Sequence, residues 1–172
     1  VERLARLPYT SEVALTALVR PLLGDDIKGP LCLVEEGKPN RPLRFLRPGA
    51  NVVMIGDHYL GTFMVPANLV RPELEALYGY PMGSLLEDPE RQTFTSYPVL
   101  PKDAITRWRV ALAAEAAGLL AGALQSVCDH VSQREQFGRA LATFQAVRHR
   151  LAEAQVRTNG VYWLAMKAAA TL

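Results

Sequence analysis

Val110 to Val131 reads VALAAEAAGLLAGALQSVCDHV, and Arg134 to Arg139, REQFGR, follows two residues later. In the first stretch the apolar residues recur at Val110, Ala113, Ala114, Ala117, Leu120, Ala121, Leu124, Val127, Cys128 and Val131. Steps of three and four are helical spacing, not strand alternation. Asp103 is placed to cap the helix, because its carboxylate can accept free N–H groups of the first turn. Pro101 suits the boundary rather than the interior. Glycine inside a helix costs about 1 kcal/mol relative to alanine. Gly118 and Gly122 therefore predict a close approach by another backbone or a ligand.

A second helix is expected from Thr143, a good N-cap residue. Its predicted buried stripe is Phe144, Val147, Leu151, Ala154, Val161, Leu164, Ala165 and Ala168, with Arg148, Arg150, Glu153 and Arg157 opposite. Both helices are expected to exceed about 25 residues, which is long for an ordinary globular helix. Such length suits a large bundle or an oligomer interface. The stripe is wider than a two-position coiled-coil seam. Glu115 and Gln125 interrupt the alanine-rich run, so no membrane span is expected.

The corner between the helices carries Arg134, Gln136, Phe137 and Gly138. Gly138 permits positive φ. A guanidinium matches phosphate geometry, and Phe137 offers a flat apolar face beside it. Together they can hold a phosphate and an aromatic ring system. The same residues also suit a plain corner in which Phe137 plugs the core and Arg134 is solvated.

Working back towards the start, residues 30–101 change character. Prolines and glycines punctuate short β-prone runs. Pro30 to Glu35 and Leu43 to Leu46 are candidate strands joined by a turn at Gly37 to Asn40. Val52 to Ile55 and Tyr59 to Val65 form a hairpin around Gly56-Asp57-His58, closed by Pro66. Glu73 to Tyr78 suggests a helical turn, and Thr93 to Leu100 a last strand. Thr10 to Leu23 reads as a short amphipathic helix capped by Thr10 or Ser11, with Glu12 in its first turn and Gly24 as its stop. Asp25-Asp26 then begins a loop. The fold class is α+β: a small β-meander or partial barrel, then a bundle of long helices. The expected organisation is an N-terminal helical segment over 1–29, a β-rich middle segment over 30–101 and a helical domain over 102–172.

Nineteen Lys and Arg stand against 17 Asp and Glu, a net charge of +2 that is too mild for a nucleic-acid partner. Cys32 and Cys128 are far apart with no CxxC, which fits a reducing, cytoplasmic compartment and gives no metal site. His58, His130 and His149 are equally dispersed. Val1 to Arg20 lacks a basic start followed by a dense apolar run, so no signal peptide is expected.

Arg134-Glu135-Gln136-Phe137-Gly138-Arg139, then Phe144-Gln145-Ala146-Val147-Arg148-His149-Arg150-Leu151-Ala152, resembles the C-terminal helical domain of the acyl-CoA dehydrogenase family. Ala111 to Gly118 is similar to the helix leading into that family's corner. The resemblance runs from Ile105 to the end and joins two motifs at a fixed spacing. It implies FAD as cofactor, an acyl-CoA substrate, a tetramer and an electron-transfer flavoprotein as electron acceptor. Arg134 would contact the FAD pyrophosphate of a neighbouring subunit, with Gln136 and Phe137 beside it and Gln145 near the same cofactor. Arg109 falls where many members place an arginine close to the acyl-CoA.

The departures bear on catalysis. Some members carry the catalytic glutamate on the first of these helices, where this chain has Trp108. Where many have a carboxylate near the CoA, it has Thr106. Glu115 lies at another position, so no catalytic base is assigned. Cys32-Leu33-Val34-Glu35-Glu36 only faintly echoes the family's middle-domain signature, and Tyr78-Gly79-Tyr80-Pro81-Met82-Gly83 resembles a turn ahead of the helical domain. Two functions follow from the resemblance: an FAD-dependent oxidoreductase performing α,β-dehydrogenation of an acyl-CoA thioester, as one subunit or piece of an assembly; or a non-catalytic partner subunit of such a complex. A third, unrelated option is a plain helical interaction module whose corner motif is accidental.

Overall fold

The computed structural model describes residues 13–24, 27–37, 41–73, 81–88 and 92–172. Thr10, Ser11, Glu12, Asp25, Asp26 and Tyr78 to Tyr80, which carry expected caps and loops, lie outside them. The chain divides into two units, one of residues 10–111 and one that takes in residues 112–172.

In the first unit, helix α1 (Val13–Leu18) leads into a 3-10 turn at Arg20–Leu22. Pro21 explains the break, since an interior proline removes a helix hydrogen bond. Gly24 takes φ 85°, as a helix stop does. The Arg20 guanidinium donates to the carbonyls of Ile27 and Gly29, which ties the next loop down.

Among the described residues seven strands follow: β1 (Leu31–Glu35), β2 (Leu43–Arg44), β3 (Asn51–Ile55), β4 (Leu60–Met64), β5 (Val70–Glu73), β6 (Met82–Leu85) and β7 (Thr95–Tyr97). One sheet has the order β1-β3-β4-β7 and another the order β2-β6-β5. The β3–β4 hairpin is the expected one, with Ile55 opposite Leu60. Pro66 follows its end and precedes a 3-10 turn at Ala67–Leu69. The expected turn joining β1 directly to β2 does not pair them. β1 runs parallel to β3, and β2 crosses to the second sheet to pair with β6. The reason lies in burial. Leu31 to Val34 and Val52 to Ile55 are buried on both faces, so their near-continuous apolar runs need cover on two sides.

Alternation then sorts the side chains. Cys32, Val34, Val52, Met54 and Phe63 face Leu43, Phe45, Leu46, Leu69 and Val70. Leu31, Leu33, Val53, Ile55 and Leu60 pack with Val19, Leu23 and Ala104, and with the half-buried Ile105 and Trp108. Thr62, buried in β4, shares a 3.1 Å hydrogen bond with the Tyr97 hydroxyl.

Of the helical turn expected over Glu73 to Tyr78, Glu73 is the last residue of β5, and residues 74–78 lie outside the described residues. Pro72 is tolerated because β5 is the edge of its sheet. Gly83 in β6 lies opposite both Leu43 and Pro72. A Cβ there would stand 2.7 Å from the Leu46 carbonyl oxygen. That oxygen belongs to the backbone and cannot swing aside. Gly83→Ala is therefore expected to destabilise the first unit by about 1–3 kcal/mol, read as a lower denaturant midpoint.

Helix α2 (Pro101–Gln133) starts in the first unit and continues into the second. It begins two residues earlier than expected. Pro101 is its first residue, where a missing N–H is no loss. Asp103 sits inside the first turn instead of capping it, favourably placed for the helix dipole. Helix α3 (Gln145–Ala169) begins after Phe144, whose extended backbone serves as N-cap without a side-chain bond. Thr143 is not the cap. It lies in a 3-10 turn (Leu141–Thr143), and its hydroxyl donates to the Ala140 carbonyl at 2.7 Å. The α+β class therefore holds: a mixed sheet with long C-terminal helices.

Candidate functional site

The corner is a β-hairpin, not a loop. β8 (Glu135–Gln136) pairs with β9 (Arg139–Ala140), with Gln136 opposite Arg139. The Leu141 N–H closes the pair on the Arg134 carbonyl at 2.8 Å. Two residues remain for the turn, Phe137 at φ 55° and Gly138 at φ 76°. Positive φ at both central residues is the type I′ arrangement, whose twist matches the flanking strands. Glycine takes it freely. For Phe137 the left-handed conformation costs about 1–2 kcal/mol.

That conformation throws Phe137 outward. Its side chain is 91% exposed, so the alternative of a core plug is overturned. Arg134, Gln136 and Gln145 are exposed on the same corner. The Gln136 amide donates to the Glu135 carbonyl at 2.8 Å. The Phe137 ring meets the edge of the Phe144 ring, centroids 6.2 Å apart. The Arg139 guanidinium lies over the Phe144 ring, 4.0 Å from its centroid. The Arg139–Phe144 pair has no sequence periodicity, and only a folded-back turn brings it together. Arg109 is exposed on the part of α2 that belongs to the first unit. Trp108 is half-buried against the first unit's core.

Below the corner, α2 and α3 form opposite walls of a groove of about 440 Å³. Ala117, Ala121, Leu124 and Cys128 line one wall; Thr158 and Tyr162 belong to the other. Ala117 and Ala121 thus border open space, one residue before Gly118 and Gly122 respectively. The amides at its rim bond within their own helices, Gln125 to Asp129 at 2.9 Å and Gln155 to Asn159 at 2.8 Å.

The helix stripes are observed with instructive departures. On α3, Phe144, Val147, Leu151, Ala154, Val161, Ala165 and Ala168 are buried or half-buried, and Thr158 fills the missing position. Leu164, expected inside, is 70% exposed, beside Trp163 at 68% and Val156 at 71%. Leu120 and Val127 of α2 are also exposed, with Leu119. Both helices therefore present an uncovered apolar face. Gly160 lies within the α3 face, and a Cβ there would meet nothing within 4 Å. Gly160→Ala is expected to stabilise the isolated chain by about 0.5–1 kcal/mol, seen as a raised thermal midpoint.

Residues 100–172 match the family model of the acyl-CoA dehydrogenase C-terminal domain. Over 50 residues the chain is 44% identical to acyl-CoA dehydrogenase FadE28 of Mycobacterium tuberculosis, a match spanning 29% of this chain and 15% of that protein. Butyryl-CoA dehydrogenase from Megasphaera elsdenii shares the fold at 20% identity and a TM-score of 0.52, over 81% of this chain and 44% of that one. The ChsE4-ChsE5 complex from Mycobacterium tuberculosis does so at 20% identity and a TM-score of 0.50, over 85% and 45%. Residues 100–172 are therefore similar to the C-terminal domain of the acyl-CoA dehydrogenase family. The chain spans 15% of the curated relative and less than half of each of these solved chains.

Proposed function

We propose that this chain is part of an FAD-dependent acyl-CoA dehydrogenase-type oxidoreductase, and that its hairpin reaches the flavin of a neighbouring subunit. The observation that carries this is the projecting tip of a domain similar to that family's: Phe137 is 91% exposed, and Arg134 is exposed at the base of the same hairpin. A convex hairpin cannot enclose a cofactor alone. Its residues suit one side of a flavin dinucleotide whose other walls come from elsewhere.

In this reading Arg134 binds the pyrophosphate through charge-assisted hydrogen bonds. Gln136 and Gln145 offer amides, and Phe137 lays an apolar face against the cofactor and excludes water. Arg109 contributes a cation towards the acyl-CoA. When bound, the flavin supplies the two-electron acceptor for dehydrogenation of the thioester. An electron-transfer flavoprotein is the proposed onward acceptor. The apolar faces of α2 and α3 are read as contacts between subunits. α2 is long and apolar enough to cross a membrane by length and composition, with a window of mean hydropathy 1.5. Glu115 and Gln125 stand inside that run, which favours the protein contact. A cytoplasmic location is part of the proposal.

A second reading has its own support. Trp108 occupies the position where the resemblance places a catalytic glutamate in some members, and it packs against the core. An indole N–H only donates, so it cannot take a proton from the substrate. The chain would then serve as a non-catalytic partner in a mixed assembly. Anaerobic addition of a panel of acyl-CoA thioesters to the purified assembly separates the two. Bleaching of the oxidised flavin bands by this chain's homo-oligomer supports the first reading. Bleaching only with a second, glutamate-bearing subunit supports the other.

A further inference from the structure

Two strands of two residues each have little to hold them. An isolated two-stranded hairpin is marginal in water, and this one carries a phenylalanine at φ 55° in its turn. The described contacts that oppose this strain converge on one side chain. Phe144 meets the Phe137 ring edge-on and lies beneath the Arg139 guanidinium. Arg139 itself is the β9 residue opposite Gln136. Phe144 is also the N-cap of α3, so its backbone is fixed to a long helix. The three side chains thus tie the turn, the second strand and the helix start together.

We propose that Arg139 and Phe144 are positioning residues, a brace that holds the Phe137-Gly138 turn in the conformation presented to the cofactor. The flavin arm of this proposal rests on the reading of the corner given above; the brace itself does not. Removing the cation–π contact is expected to loosen the hairpin about twofold to fivefold, the size of an exposed contact of this kind. Removing the aromatic ring takes away both contacts and acts more strongly.

The test measures amide hydrogen exchange at residues 135–141 without flavin, and FAD affinity by fluorescence titration of the apo-assembly. The variants are Arg139→Ala, Arg139→Lys, Phe144→Leu and, as reference, Arg134→Ala. Arg139→Ala should speed exchange at the hairpin amides, including Leu141, and weaken FAD binding by a similar factor. Arg139→Lys, which keeps a cation, should recover part of both, and Phe144→Leu should exceed Arg139→Ala. Unchanged exchange in both Arg139→Ala and Phe144→Leu overturns the brace. Weaker FAD binding with unchanged exchange also overturns it, because Arg139 would then act by direct contact. If Arg134→Ala leaves FAD affinity unchanged, the flavin reading fails, while the exchange data still decide the brace.

Discussion

Arg134→Ala is expected to weaken FAD binding by about tenfold to hundredfold while leaving the fold intact. A hydrogen bond to a charged group contributes about 1.5–3 kcal/mol, which sets that range. Arg134 lies between α2 and β8, exposed. Its backbone, not its side chain, accepts the closing bond from Leu141. Alanine preserves that bond, and surface changes of this kind stay within about 0.5 kcal/mol of wild type. Flavin content of the purified variant, read with its circular dichroism, checks both halves. Arg134→Lys should recover part of the affinity, since an ammonium keeps the charge but loses the planar fork. Full flavin content in Arg134→Ala would remove the corner from the cofactor site.

Leu60→Ala should have the largest effect on stability. Leu60 is fully buried in β4, opposite Ile55 on one side and Tyr97 on the other. It packs in the cluster that joins the four-stranded sheet to Val19, Leu23 and Ala104. Truncation there leaves a cavity between elements distant in sequence, which can collapse only partly. The expected loss is about 2–5 kcal/mol, a large share of a domain's usual stability of about 5–15 kcal/mol. Chemical denaturation should show a lower midpoint with an unchanged slope.

The parts of the fold that were readable from sequence are those where burial and chain direction agree. Val52 to Ile55 and Leu60 to Met64 are apolar runs around a short polar turn, and they pair as a hairpin. β5 and β6 were not readable. Arg71-Pro72-Glu73 and Met82-Gly83-Ser84-Leu85 show no clean alternation, because Pro72 takes an edge strand, where a donor can be missing, and Gly83 a site where no side chain fits. The parallel partner of β1 was hidden too, since crossing between sheets leaves no local signal.

The corner divides in the same way. Gly138 announced a tight turn. Nothing local announced that Phe137 would also take positive φ, and that choice turns a core plug into an exposed tip. The exposed Leu164 has a similar origin: helical period marks an apolar face, but not whether this chain or another protein covers it.

The visible absorption spectrum of the purified protein, recorded with its mass in solution, decides whether this chain shares in FAD binding. Oxidised-flavin bands should travel with a particle of several subunits and be lost in Arg134→Ala. A wild-type assembly that stays colourless after incubation with FAD, alone and with a glutamate-bearing partner subunit, would contradict FAD binding by this chain.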